Sequence, residues 1–151
     1  MNHLLMFAVL VASGDFDAHG KEEDREQMLT DVVKINGSMF KSYGCYCGVD
    51  GIGHGDPKDY IDVCCQILNC CYKSLKAFQC DATTRSYSYT YDGEDVECYT
   101  ANHPLWCETH VCMCDRYFAI CLLDSHGLFN QDFIPLGRRD CSGDPPHCSD
   151  S

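Results

Sequence analysis

The sequence predicts a mainly α-helical, disulfide-rich domain with two long cysteine-bearing helices, a short N-terminal helix, a glycine-rich loop and a small β-hairpin. Three observations carry that expectation. Fourteen cysteines in 151 residues mark a disulfide scaffold rather than an ordinary cytosolic protein. Apolar residues recur at steps of three and four from Ile61 to Leu75 and again from Val111 to Leu122. Asp92-Gly93 lies within an alternating aromatic and polar stretch, Tyr87 to Tyr99, which is the strongest short-range hairpin signal.

The cysteine count is even, with CxC pairs at Cys45/Cys47 and Cys112/Cys114 and CC pairs at Cys64/Cys65 and Cys70/Cys71, so seven bridges and an oxidising compartment are expected. Fourteen cysteines pair in on the order of a hundred thousand ways, and the count alone assigns no connectivity. A zinc cluster would want CxxC knuckles, and the sequence has none. Leu4 to Ala12 is an apolar run too short to span a bilayer, followed by small residues to Gly14. Residues 1–14 are therefore expected to be a signal peptide, cleaved after Gly14 or as late as Gly20, and residues 15–151 one secreted, extracellular domain. The formal net charge of −12 argues against nucleic acid and anionic membrane as partners. Acidic residues crowd Asp15 to Glu26, a run expected to form a solvated face, with attraction of cations such as calcium as the alternative.

Arg25 to Asn36 reads as the short first helix, with Met28, Leu29, Val32, Val33 and Ile35 at roughly helical spacing and Gly37 ending it. Asn36-Gly37-Ser38 is a glycosylation sequon. Gly44 to Pro57 holds five glycines in fourteen residues and is a loop. The next helix begins near Asp59 and buries Ile61, Cys64, Cys65, Leu68, Tyr72 and Leu75, while Asp62, Gln66, Asn69, Lys73 and Lys76 form a polar flank. Beyond the hairpin, a third helix from Glu108 to Leu123 places Val111, Cys114, Asp115, Phe118, Cys121 and Leu122 on one face, which sets a carboxyl on an apolar stripe. Residues 126–151 form a Gly-, Pro- and Asp-rich extension pinned by Cys141 and Cys148.

The motifs YGCYCG at Tyr43 to Gly48, DVCCQ followed by CCY at Asp62 to Tyr72, and CMCDRYFAIC at Cys112 to Cys121 resemble the secreted phospholipase A2 family, with the group II cysteine pattern, from about Met28 to Cys148. That resemblance implies the family's fold, in which the two long helices run antiparallel and the hairpin is the β-wing. It implies bridges Cys45–Cys141, Cys47–Cys65, Cys64–Cys121, Cys70–Cys148, Cys71–Cys114, Cys80–Cys107 and Cys98–Cys112. It also implies a calcium-assisted hydrolysis of glycerophospholipids by a histidine and an aspartate on the second helix. In this sequence the matching positions hold Leu68 and Asn69. Leucine has no lone pair and no titratable proton, and losing a general base typically removes roughly 10² to 10⁴ in rate.

The remnant of the family's network is Asp115, which would orient the missing histidine, with Tyr72 and Tyr87 as its hydrogen-bond donors. A buried carboxylate of this kind must keep the phenols, gain water or take a proton. Tyr46, Gly48, Gly51 and Asn69 are the weak calcium candidates, with Ile52 the alternative to Gly51 because the loop is two residues longer than is usual in the family. No cofactor beyond a weakly held calcium is expected. His54 in the glycine loop and His110 at the start of the third helix are the candidate substitutes for the missing base, and each is expected to be solvated or structural instead. Arg25 and its acidic neighbours stand where the family docks on lipid, so phospholipid surfaces are expected to be weak partners.

The expected function is accordingly a non-catalytic extracellular structural or binding protein. Its acidic charge, sequon and Phe133 to Cys148 tail resemble the otoconins, which organise calcium carbonate, so a mineral surface, calcium or an extracellular protein is the expected partner. A weak or atypical calcium-dependent phospholipase is the alternative. A toxin-like membrane effector ranks last, since such homologues are basic.

Overall fold

The computed structural model describes residues 20–49, 51–98, 105–134 and 140–148. The expected signal peptide and the earlier of its cleavage points lie outside these residues, as do the 135–139 and 149–151 parts of the tail. Three helices appear among the described residues: α1 (Gly20–Val33), α2 (Tyr60–Lys76) and α3 (Trp106–Ser125). Strands β1 (Thr90–Tyr91) and β2 (Val96–Glu97) pair antiparallel, with Thr90 opposite Glu97 and Tyr91 opposite Val96. None of the described helices is long and apolar enough to cross a membrane.

α1 departs from the sequence reading at both ends. It starts by Gly20, because Lys21 to Gln27 are good helix formers whose polar turns carry no apolar period. It stops at Val33, where Lys34 takes a left-handed φ of 64°, rather than running to Gly37. Asn36 then caps a 3₁₀ turn, Gly37–Phe40, by accepting from the Ser38 N–H. Asp59 caps α2 by accepting from the Asp62 N–H at 2.9 Å, and Lys73 and Lys76 favour its carbonyl end. Among the described residues the hairpin ladder holds two residue pairs. Asp92 accepts from the N–H groups of Glu94 and Asp95 to close a four-residue turn, while the Tyr87 N–H is taken by Asp24 and Tyr89 donates from its hydroxyl to Asp31.

Seven disulfides tie these elements: Cys45–Cys141, Cys47–Cys65, Cys64–Cys121, Cys70–Cys148, Cys71–Cys114, Cys80–Cys107 and Cys98–Cys112. Cys64 and Cys71 are two helical turns apart on α2, and they meet Cys121 and Cys114 of α3 in reverse order, so the two helices run antiparallel. Each long-loop bridge adds about 2–4 kcal/mol, which holds a small core together. Met28, Leu29 and Val33 of α1, Ile61, Leu68 and Leu75 of α2, and Val111, Phe118 and Leu122 of α3 fill that core.

Candidate functional site

Asp62 belongs to the core, not to the polar flank on which spacing placed it. It is fully buried and accepts from the N–H groups of Cys45 (2.8 Å), Tyr46 (2.9 Å) and Lys58 (2.8 Å). One carboxylate thus anchors both ends of the glycine loop to the first turn of α2. The anchoring demands glycine nearby. A Cβ on Gly44, whose φ is 59°, would fall 2.3 Å from the Asp62 carboxyl carbon, and one on Gly48, at φ 72°, only 1.8 Å from the Lys41 carbonyl oxygen.

With the loop fixed, α2 presents Leu68 and Asn69 beside it. Leu68 is packed into the core at 7 % exposure, one turn before Tyr72 on the same helix face. Tyr72 and Tyr87 both donate from their hydroxyls to Asp115, which is 1 % exposed, and the Tyr87 bond measures 2.5 Å. Arg25 completes the chain by donating from Nη1 to the Tyr72 oxygen at 3.2 Å. This corrects the reading of Arg25 as part of an outward-facing charged surface: the guanidinium folds back, half-buried, onto the phenol. Asp24 turns inward as well, accepting from Ser86 Oγ and the Tyr87 N–H, and Lys41 bridges Glu22 and Glu26. Of the described part of the acidic run, Asp24 is thus engaged within the fold, while Glu22 and Glu23 stay exposed.

Burial pushes the Asp115 carboxyl up to about 6, against the opposing pull of the Arg25 charge and the two phenol bonds. Burial and the Asp115 charge raise both phenols above their ordinary range, so they remain donors. Burial works against the Arg25 charge, but Tyr72 and Asp115 outweigh it and hold the guanidinium above its ordinary value. A carboxyl whose folded value exceeds its unfolded one stabilises the fold most when protonated. That contribution is full below about pH 4 and is lost as pH rises through 6, a change of about 2–3 kcal/mol. Urea unfolding of the wild type beside Asp115→Asn should therefore show the wild type losing that much relative to the variant between the two ends of the range. Parallel stability curves would contradict it.

The calcium implied by the family is testable on the loop's own atoms. Asn69 donates from Nδ2 to the carbonyl oxygens of Tyr46 (2.8 Å) and Ile52 (3.4 Å). Carbonyls only accept, so the amide must turn its NH₂ towards them, and a donor fills the place where a cation would draw in the same oxygens. Turning the amide over would offer one neutral oxygen beside the neutral Tyr46 and Ile52 carbonyls, without the charge on which tight calcium binding depends. Among the described residues no group of three or more His, Cys, Asp or Glu side chains is placed to hold a metal. The donor set of the described residues does not fit a tight calcium cage. Of the two residues left open for the extended loop, it is Ile52 rather than Gly51 whose carbonyl reaches Asn69.

Neither histidine is a hydrogen-bond partner of Asp115. His54 is exposed on the loop, while His110 stacks on Trp106 on the outer side of α3 with Nδ1 bonded to the Trp106 carbonyl at 2.8 Å. The Asn36 sequon is exposed, with Oδ1 accepting from Ser38 N and Oγ at 3.0 and 2.8 Å. Arg25, Asp24 and Asp62 are the site residues that spacing did not reveal. Each contacts groups 15 or more residues away in sequence, and no local pattern records that.

The chain matches the phospholipase A2 family over residues 24–133. It is 32 % identical to the bovine membrane-associated phospholipase A2 (Bos taurus) over 149 residues, covering 98 % of this chain and all of that one. It is 37 % identical to a group IID secretory phospholipase A2 of Mus musculus over 106 residues, or 70 % of this chain and 71 % of the relative. It is 38 % identical to the acidic phospholipase A2 jerdoxin of Protobothrops jerdonii over 124 residues, covering 82 % and 85 %. The seven-bridge helical scaffold and these matches together place the chain in the phospholipase A2 family.

Proposed function

We propose that this family member is a secreted, non-hydrolytic protein that acts by binding, and that its acidic surface engages calcium-bearing mineral in the manner of the otoconins it resembles. The observation that carries the first half is the pairing of buried Leu68 with an Asn69 amide that donates to the Tyr46 and Ile52 carbonyls. There is no proton acceptor at the one position and no charged oxygen at the other. The exposed hairpin supports the second half: Asp92, Glu94, Asp95 and Glu97 lie within six residues. Backbone N–H groups of Asp95 and Glu94 hold Asp92 below the usual carboxylate range, and Arg116 does the same for Asp95. Clustered surface carboxylates bind a calcium lattice weakly one by one and appreciably together.

Adsorption to calcite tests the mineral reading. Glu94→Gln with Glu97→Gln spares the Asp92 turn and should lower the amount retained several-fold. A wild type that adsorbs no better than a neutral protein would remove the mineral role and leave the question of hydrolysis untouched. The second reading, a weak calcium-dependent phospholipase, is favoured by the intact Tyr72–Asp115–Tyr87 arrangement and by the names of the relatives.

A further inference from the structure

The outer face of α3 carries a seam that the disulfide core leaves uncovered. Trp106, His110, Met113, Tyr117, Ile120 and Asp124 follow one another at steps of four, three, four, three and four residues. That is the spacing by which one helix meets another along a coiled-coil seam, narrower than the stripe with which a helix meets its own core. The core stripe of α3 is a separate face, where Val111, Asp115, Phe118 and Leu122 are buried. Along the seam, Trp106, Met113, Tyr117 and Ile120 are 48, 36, 54 and 40 % exposed. The Phe78 ring, itself exposed, packs edge-on against Trp106 at 5.8 Å, and the His110 ring stacks on the indole at 4.4 Å, so one end of the seam is an aromatic ledge already in place.

The seam complements itself in the antiparallel sense. Centred between Met113 and Tyr117, a second α3 lays its Tyr117 on Met113, its His110 on Ile120 and its Trp106 on Asp124, and two-fold symmetry repeats each contact. Each Asp124 carboxylate then meets an indole N–H and sits near the imidazole, while the apolar side chains meet at the centre. A parallel pairing would instead set Asp124 against Asp124. Arg116 flanks the axis but is held by its own Asp95 at 2.8 Å, so the two guanidiniums approach with their charge already offset. We propose that α3 pairs antiparallel with α3 of a second copy of this chain to form a reversible homodimer.

One helix face buries less than the about 800 Å² per partner of a standard stable interface, so the dimer is a weak one. The net charge of −12 on each chain opposes it, and salt relieves that repulsion. Sedimentation equilibrium of the full disulfide-bonded protein across the micromolar range should show self-association that tightens with added salt. Tyr117→Glu should raise the dissociation constant about tenfold or more, because it places two carboxylates at the centre of the seam. Tyr60→Glu, an equally exposed aromatic on α2, should leave it unchanged. Both positions face solvent, and circular dichroism with a free-thiol count checks that each variant is folded and fully bridged. A chain that stays monomeric throughout overturns the proposal, as does a dimer indifferent to Tyr117→Glu or equally weakened by Tyr60→Glu. Adsorption of a monomeric chain to phosphatidylcholine vesicles that Tyr117→Glu abolishes would also overturn it, by assigning the seam to lipid.

Discussion

Leu68→His combined with Asn69→Asp should raise calcium-dependent hydrolysis of a monomeric short-chain phosphatidylcholine by about 10²-fold or more over the wild type. The expectation rests on what the fold has kept. Asp115 retains both phenol donors, and position 68 lies one turn from Tyr72, so an imidazole there would stand beside a carboxylate able to orient it. Position 69 faces the Tyr46 and Ile52 carbonyls, and an aspartate would exchange a competing donor for a charged oxygen. The two changes should act as a unit. Leu68→His alone supplies a base without a cation, Asn69→Asp alone a cation site without a base, and neither single variant should approach the double. A monomeric substrate matters because the folded-back Arg25 and its acidic neighbours give α1 little apolar surface with which to dock on lipid.

Asp62→Ala should cost about 3–5 kcal/mol, the largest single loss of stability expected from this fold. The change leaves three backbone N–H groups without their acceptor, those of Cys45 and Tyr46 buried and that of Lys58 part-buried. Asp62→Asn, which keeps one acceptor oxygen, should cost less. Guanidinium unfolding of the three proteins with all disulfides intact measures the difference. A cost below about 1 kcal/mol for the alanine variant would mean that the bridges at Cys45 and Cys47, rather than the carboxylate, hold the loop to α2.

The helical, disulfide-bonded architecture was legible because its signals are local and redundant: apolar residues at helical steps on α2 and α3, glycines between Gly44 and Pro57, and Asp92-Gly93 at the hairpin turn. The extent of α1 was not, since a polar turn such as Lys21 to Asp24 has no apolar period to count. The small hairpin was legible, but the partners of its tyrosines were not: Tyr87 and Tyr89 alternate like strand residues and donate from their hydroxyls to Asp115 and Asp31, both distant in sequence. Asp115 was placed on an apolar stripe by spacing alone, but the guanidinium that offsets its charge through Tyr72 comes from 90 residues upstream. Asp62 was misplaced by the same limit. Its register on α2 says which way the side chain leaves the helix, and only the fold of the glycine loop makes that direction an interior one.

Turnover by the unmodified protein decides the claim that Leu68 and Asn69 leave this scaffold without its hydrolytic chemistry. Purified disulfide-bonded protein, given short-chain phosphatidylcholine with calcium and then with a chelator, should release fatty acid at the same background rate in both conditions, while Leu68→His/Asn69→Asp responds to the metal. Release by the wild type that depends on calcium and stops on chelation would contradict the claim.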